Sequence, residues 1–588
     1  MDYLKLTRTY TQLEHTTKRL EKTSILVSLL KELNSKQEAD AVLHLLRGSV
    51  FPSWDEQKSG ISEQLVVKAL AKSTGFSTEK IKKYWAKLGD LGEVTEILFT
   101  EKKQQTLFEG KKLDVLTVYN ELRKLATHQG EGTVGRKIDL ICKLLAAASG
   151  VEAKFIMRTL LEDLRVGIGE GVLRDSIVWT FFPAPLTYDK KTNDLALNEE
   201  DRKKLNEFTD AVQAAYDWTN DFAELYWMLK EKGVKGLDKI SLKIGRPFNV
   251  MLAIKAETVA EAIENVGLPC LCDYKLDGFR VEIHHDGKNT WLYTRRLENV
   301  TNQFKEIIPH LKEAVGAKTY ILDAEIVGFD PKTKRYFPFQ EISQRIKRKY
   351  GIEALAKKIP VEVNIFDILL KDGKDLTTLN QEERRNILEK TIKEKKEKVV
   401  LTPAITATSQ HQIEKFYSEA LKEGVEGVMV KNLTKNYQPG RKVGGWIKLK
   451  PVLENLDLVI TKAEYGTGKR GGTLSSYTLA CLNSDKTHYL EIGKVATGLK
   501  EKQEEGTSFQ EMTDLLKPLI IKQEGRDVFV KPKIVIEVAY EEVQKSEEYS
   551  SGFGLRFPRF IQLRSEKPLR EINTIEDVKR IYSKQKGK

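Results

Sequence analysis

Hydrophobic residues recur at helical spacing up to about residue 230 and then give way to short β-branched runs, so one layer architecture cannot hold the whole chain. In the first part Ile25, Leu26, Leu29, Leu30 and Leu33 fall on one helical face, as do Leu140, Ile141, Leu144 and Leu145. Gly and Asn-Asp clusters interrupt these helices, and no repeat period stands out. Around 233–247 (GVKGLDKISLKIGRP) the texture becomes that of a linker punctuated by Gly and Lys. Strand-like runs follow at Phe279–His284, Thr290–Thr294, Tyr320–Phe329, Val361–Leu370, Val425–Lys431 and Trp446–Lys450. His285-Asp286-Gly287-Lys288 is a hairpin turn between the first two, and helical stretches at Asn380–Lys396 and Gln410–Glu423 make this an α+β region. After Lys450 come LDLVITKAEYG, SYTLACLN, HYLEIGKVA and KIVIEVAYEEV, with little helix beyond about 498–520. Such short strands with glycine-bearing turns suit a small β-barrel of the OB type. The chain thus reads as multidomain: all-α over 1–232, α+β over 233–450 and β-barrel over 451–588.

Composition narrows the function classes. At 588 residues, with 40% hydrophobic and 31% charged, the chain has the apolar material for several cores and is not disordered. The net charge of +12 fits a polyanionic partner. Cys142, Cys270, Cys272 and Cys481 are too few for a disulfide framework. Cys270 and Cys272 beside His284 and His285 suggest a metal site only superficially, because adjacent strand histidines point to opposite faces. The N-terminus has no apolar signal core, and no apolar stretch approaches the roughly 20 residues that span a bilayer, so a cytoplasmic location and no membrane partner are expected.

The chemistry centres on Cys272-Asp273-Tyr274-Lys275-Leu276-Asp277-Gly278-Phe279-Arg280. Lys275 ends an apparent strand just before a turn, held firmly yet open to a ligand. To attack a phosphate its amine has to lose a proton, and a nearby cation such as Arg280 would favour that. Downstream, further charged residues stand in apolar strands: Thr294-Arg295-Arg296, Asp323-Ala324-Glu325, Asn364-Ile365-Phe366-Asp367, Glu426-Gly427-Val428-Met429-Val430-Lys431 and Trp446-Ile447-Lys448-Leu449-Lys450. Charge in such a place is costly unless it is paired or binds something. Lysines and arginines suit a triphosphate, two glutamates suit Mg2+, and an aromatic ring can stack on a base.

In this order and spacing the segments resemble the nucleotidyltransferase motifs of ATP-dependent DNA ligases, especially the archaeal and eukaryotic replicative type. The resemblance implies that Lys275 accepts AMP from ATP, with Arg280 and Arg295 on phosphate or ribose and Glu325 on ribose or metal. It implies that Phe366 and Met429 sandwich the adenine, that Asp273 lies near it, that Glu426 holds Mg2+ and that Lys448 and Lys450 grip the α-phosphate. Lys431 reads as solvated or as a lysine behind the binding residues. Two positions depart from the family pattern. The arginine usual four residues before the motif tryptophan is here Lys442, with Arg441 one residue earlier, and either is a candidate for the nucleotide. Arg564-Ser565-Glu566-Lys567 carries Glu where the last motif, R-x-D-K, has Asp.

Leu46–Pro52 and Leu164–Gly171 resemble parts of the family's helical DNA-binding domain, where Arg165, Gly167 and Gly169 would meet phosphates of nicked duplex DNA. Gln104-Gln105-Thr106-Leu107-Phe108 resembles a peptide that docks on a sliding clamp of the PCNA type, with Gln104, Leu107 and Phe108 as anchors. The implied activity is nick sealing through a lysyl-AMP intermediate in replication, repair and recombination. An RNA ligase or capping guanylyltransferase fits less well, given the long helical N-terminal part and the LRFPRF segment. A scaffold without chemistry would not need Lys275 and both glutamates.

Overall fold

The computed structural model describes all residues except 56, 58, 102–111, 129–131, 185, 347, 349, 441–444, 452, 467–469, 471, 502 and 586–588. It divides into two compact units. The first holds residues 1–252, 278–401 and 434–443; the second holds 253–277, 402–433 and 444–588. The chain therefore crosses from one to the other between Asp277 and Gly278, inside the Lys275 motif.

Within the first unit, helices run from Tyr3–Glu14 to Phe222–Lys232. Side chains start many of them: Ser35, Ser62, Asp114 and Asn198 each accept a backbone N–H from the first turn. Gly75 and Gly89 end theirs in the left-handed conformation. One apolar core joins them, with Leu6, Tyr10, Leu26, Leu30, Phe155 and Ile156 fully buried. Burying each such side chain contributes about 1.5–3 kcal/mol. Leu33 shares the helical spacing of Leu26 and Leu30 but lies past the helix end at Leu30, and it is buried all the same. A short hairpin pairing Tyr188–Asp189 with Asp194–Leu195 interrupts the helices.

The same unit contains a sheet in the order Val399–Leu401, Val361–Lys371, Tyr320–Gly328, Phe279–His285 and Thr290–Thr294, with Lys374–Asp375 beside the second. The expected helices occur as Gln381–Thr391 and Gln410–Lys422, the latter in the second unit. His284 and His285 point to opposite faces, one receiving Gly245 N–H at 3.2 Å and the other bonded to Thr290 at 2.9 Å.

The second unit contains a sheet in the order Ala404–Ala407, Cys270–Lys275, Gly427–Asn432, Trp446–Leu449 and Ile254–Ala256. Its C-terminal part is β-rich. The long strand Leu456–Tyr465 pairs with Leu474–Leu482 on one side and with both Asp527–Val530 and Val535–Ala539 on the other. Between these strands the sequence predicts little helix beyond one at about 498–520. That helix occurs as Phe509–Leu516, and a further one, Ile575–Lys584, follows the last strand, started by a capping box of Thr574 and Asp577 and buried along Ile575, Val578 and Ile581. Among the described residues no helix is long and apolar enough to cross a membrane.

Candidate active site

Lys275 closes its strand directly opposite Gly427, and Asp273 stands opposite Met429. Met429 in turn faces Lys448 on the next strand, and Lys431 faces Trp446. Since strand side chains alternate, Asp273, Lys275, Met429, Lys431, Trp446 and Lys448 all fall on one face of this sheet, and Lys450, one residue past the strand end, reaches Glu426 beside them. The opposite face is apolar, with Cys270, Cys272, Val428, Val430 and Ile447 fully buried. Strand register thus brings residues of three separate motifs onto one face.

Gly427 is required by this geometry. Its φ of +148 is disfavoured for other residues, and a Cβ there would lie 2.2 Å from the Leu449 carbonyl oxygen. The turn it permits places Glu426 beside the lysines. Glu426 Oε2 lies 2.6 Å from Lys275 Nζ and 3.0 Å from Lys450 Nζ, all three side chains being less than a quarter exposed. Burial works against the Glu426 carboxylate, but the two lysines outweigh it and pull its pKa down to about 2. Lys448 is shifted below the usual lysine value by burial, then by the charges of Lys450 and Lys275, against opposing Glu541 and Glu426.

Of the two readings of Lys431 the solvated one falls, because the residue is 1% exposed. Its Nζ lies 2.5 Å from Asp273 Oδ2 and 4.5 Å from the centre of the Trp446 ring. A buried lysine is tolerable here because a carboxylate and an aromatic face both receive it.

The remaining nucleotide candidates belong to the first unit. Arg280 stands opposite Glu325, which in turn faces Asn364. The Arg280 guanidinium donates along one edge, from Nε and Nη2, to both carboxylate oxygens of Asp323, at 2.8 and 2.5 Å, and also to Met251 O at 2.6 Å and Tyr437 Oη at 3.2 Å. Its carbon lies 5.4 Å from the centre of the Phe366 ring. Tyr437 donates to Asp323 Oδ2 at 2.9 Å and accepts from Met251 N–H at 3.1 Å. The sequence reading gave Arg280 the task of disfavouring a charged Lys275. Asp323 pairs with Arg280, while the cations beside Lys275 on its own sheet are Lys448 and Lys450. Asp323 and Tyr437 were not singled out from sequence. The signal available was an Asp in an otherwise apolar strand and a Tyr within Asn436-Tyr437-Gln438-Pro439-Gly440. Arg295 is exposed on the turn after Thr294. Lys442 and Arg441 lie outside the described residues.

In the helical region the two DNA-like segments meet: Arg47 lies 3.5 Å from Glu170, which also accepts from Tyr216 at 2.8 Å. Arg165 is exposed, with φ of +57, and pairs with Asp163 at 2.7 Å. Gly167 also has positive φ, and Gly169 caps the helix Glu170–Phe181. Gln104, Leu107 and Phe108 lie outside the described residues. In the C-terminal part Arg564 is bound by Asp457 at 3.0 Å, Glu537 at 3.3 Å and Glu566 at 2.6 Å, and Lys567 also pairs with Asp457. The longer Glu566 arm therefore folds back on its own motif's arginine.

Residues 250–450 match the description "ATP dependent DNA ligase domain", residues 2–178 "DNA ligase N terminus" and residues 470–567 "ATP dependent DNA ligase C terminal region". A DNA ligase of Nanoarchaeum equitans is 45% identical over 100% of this chain and 99% of its own length. This chain belongs to the ATP-dependent DNA ligase family. A DNA ligase of Archaeoglobus fulgidus is 37% identical over 98% of this chain and 97% of its own, and one of Thermococcus onnurineus is 36% identical over 99% and 98%. The solved structure Pmar-Lig_PreS3 has the same fold, with a TM-score of 0.53 at 16% identity over 95% of this chain and 99% of that one. In ATP-dependent DNA ligases ATP is the AMP donor and Mg2+ the usual metal, so the gathering of Lys275, Lys448, Lys450 and Glu426 at one sheet face is where that chemistry is to be sought.

Proposed function

We propose that the chain seals nicks in duplex DNA by three successive phosphoryl transfers, and that Lys275 carries the AMP between the first and second. The carrying observation is Glu426 between Lys275 and Lys450 on a face shared with Lys448. Lys275 Nζ attacks the α-phosphorus of ATP; the bond to the β-phosphate oxygen breaks and pyrophosphate leaves. The 5′-phosphate oxygen at the nick then attacks the same phosphorus and frees Lys275. Finally the 3′-hydroxyl attacks the 5′-phosphorus and AMP leaves. Each transfer puts charge on oxygens, which Lys448 and Lys450 are placed to neutralise. Their positive charge also disfavours a third on Lys275, whereas Glu426 favours it, so the amine reacts once Glu426 is otherwise engaged.

Glu426 is a deprotonated, largely buried oxygen donor, which fits Mg2+ held by one or two carboxylates and substrate phosphates. Among the described residues no group of three or more His, Cys, Asp or Glu forms a self-sufficient metal cage, in keeping with that mode. When bound, Mg2+ supplies charge neutralisation at the phosphates. The assignment extends to Asp273 and the Phe366–Met429 pair for adenine, Arg280 and Arg295 for phosphate or ribose, Glu325 for ribose or metal, and Lys442 for phosphate. Residues 1–232, 233–450 and 451–588 serve as DNA-binding, adenylation and OB-fold domains, the branching pairings of Leu456–Tyr465 supporting the last. Arg165, Gly167 and Gly169 meet the DNA backbone, and Gln104, Leu107 and Phe108 dock on a sliding clamp. Incubation with α-labelled ATP and Mg2+ tests the central claim: label is expected on Lys275, and label on another residue removes its role.

A further inference from the structure

The loop from Leu164 to Gly169 turns its carbonyls inward onto buried cations. Arg158 Nη1 donates to Leu164 O at 3.5 Å, and Lys22 Nζ donates to Val166 O and, at 3.3 Å, to Gly167 O. Lys22, on the helix Arg19–Leu30, is 7% exposed, and the two bonds join positions 144 and 145 residues apart. Glu162, Arg165 and Gly167 have φ of +54, +57 and +64, so three left-handed residues occur within six. Glycine takes this conformation freely, but at Glu162 and Arg165 it persists only where the surroundings impose it. The turn buries Leu164 and Val166 and leaves Arg165, Gly167 and Gly169 exposed. Among the described residues, no protein acceptor takes the backbone amide hydrogens of 164–169. A Cβ on Gly167 would lie 2.5 Å from Lys22 Nζ, so the ammonium sits directly beneath the turn.

With three carbonyls engaged by buried cations and no protein acceptor on the amides, the loop keeps backbone donors available, a set that suits phosphate oxygens. We propose that Lys22 is the positioning residue of this loop: by binding its carbonyls from below, it holds the amides toward a DNA phosphate and sets the affinity for the nicked strand. The proposal rests on the reading that this loop meets DNA. Lys22 itself touches no phosphate. It acts by fixing the backbone and by placing a positive charge under the donors.

The test uses the full chain, nicked duplex DNA and hydrogen exchange of the loop amides. In the native protein these amides are expected to gain protection when nicked DNA binds. Lys22→Met keeps the apolar stem and removes the ammonium. It is expected to weaken nicked-DNA binding about tenfold or more, in line with loss of two charged hydrogen bonds, and to abolish the protection. Self-adenylation, which needs no DNA, is expected to be unchanged. Lys22→Gln, which can still donate to one carbonyl, is expected to lie between the two. If the native loop gains no protection, the DNA reading of the loop falls and the proposal with it. If the native loop is protected but Lys22→Met binds and protects equally well, the loop reading stands and the role of Lys22 is overturned. If both variants lose self-adenylation and melt early, Lys22 is a core lysine only, which equally overturns it.

Discussion

Glu426→Gln offers the sharpest test of the active-site reading, because one oxygen atom carries several jobs. In the native protein Glu426 Oε2 lies 2.6 Å from Lys275 Nζ and 3.0 Å from Lys450 Nζ, and the carboxylate is 17% exposed. Its pKa of about 2, against an ordinary 4.5, corresponds to about 3 kcal/mol of interaction favouring the charged form. That agrees with roughly 3–5 kcal/mol for breaking a buried pair, reduced a little because the lysines keep some solvent. The folded-state pKa is depressed, so this stabilisation is fully present above about 4.5 and is lost as pH falls toward 2. Calorimetry of both proteins should therefore show the variant less stable by about 2–3 kcal/mol at pH 7. The gap should narrow by more than about 1 kcal/mol at pH 3.5, where only the native protein has a charge to lose. Labelling from α-labelled ATP should slow by roughly tenfold to a hundredfold and respond less to added Mg2+, a hard oxygen ligand having been removed. A stability gap that stays constant between pH 7 and 3.5 refutes the electrostatic account. Native labelling rates across the Mg2+ titration refute the assignment of Glu426 to the metal.

Lys275→Ala should abolish labelling from ATP yet still seal a pre-adenylated nick at a reduced rate; full self-adenylation would remove Lys275 from the mechanism. Gly427→Ala should destabilise the second unit by about 3 kcal/mol or more and block adenylation, since a Cβ would lie 2.2 Å from the Leu449 carbonyl, and a native melting curve would contradict the geometry. Binding to nicked duplex should fall steeply with salt in a log–log plot, as phosphate neutralisation requires, whereas a flat slope would mean little backbone contact. Leu107→Ala with Phe108→Ala should remove clamp stimulation of sealing and leave clamp-free sealing intact; loss of basal activity together with early melting would identify the pair as core packing instead.

The candidate residues of the second unit stood out in sequence by their resemblance to ligase motifs, and strand alternation accounts for how the structure brings them together. Once Cys270–Lys275, Gly427–Asn432 and Trp446–Leu449 are strands, period two puts Asp273 and Lys275, then Met429 and Lys431, then Trp446 and Lys448 on common faces. The helical spacing of Leu26, Leu29 and Leu30 and the hairpin after His285 were equally local, and local pattern was enough for them. The pairing partners were not local. Asp273 meets Lys431 across 158 residues and Arg280 meets Asp323 across 43, through register between strands that no window of sequence contains. Nothing in the sequence marks Lys431 or Lys22 as buried, because charge ordinarily keeps a side chain in water. Only the tertiary structure could bury them, since the anion, ring or carbonyls that make burial tolerable arrive from distant elements. The helix Ile575–Lys584 was missed for the same reason: its apolar stripe of Ile575, Val578 and Ile581 is narrow, and it becomes a helix face because the β-rich core is there to cover it.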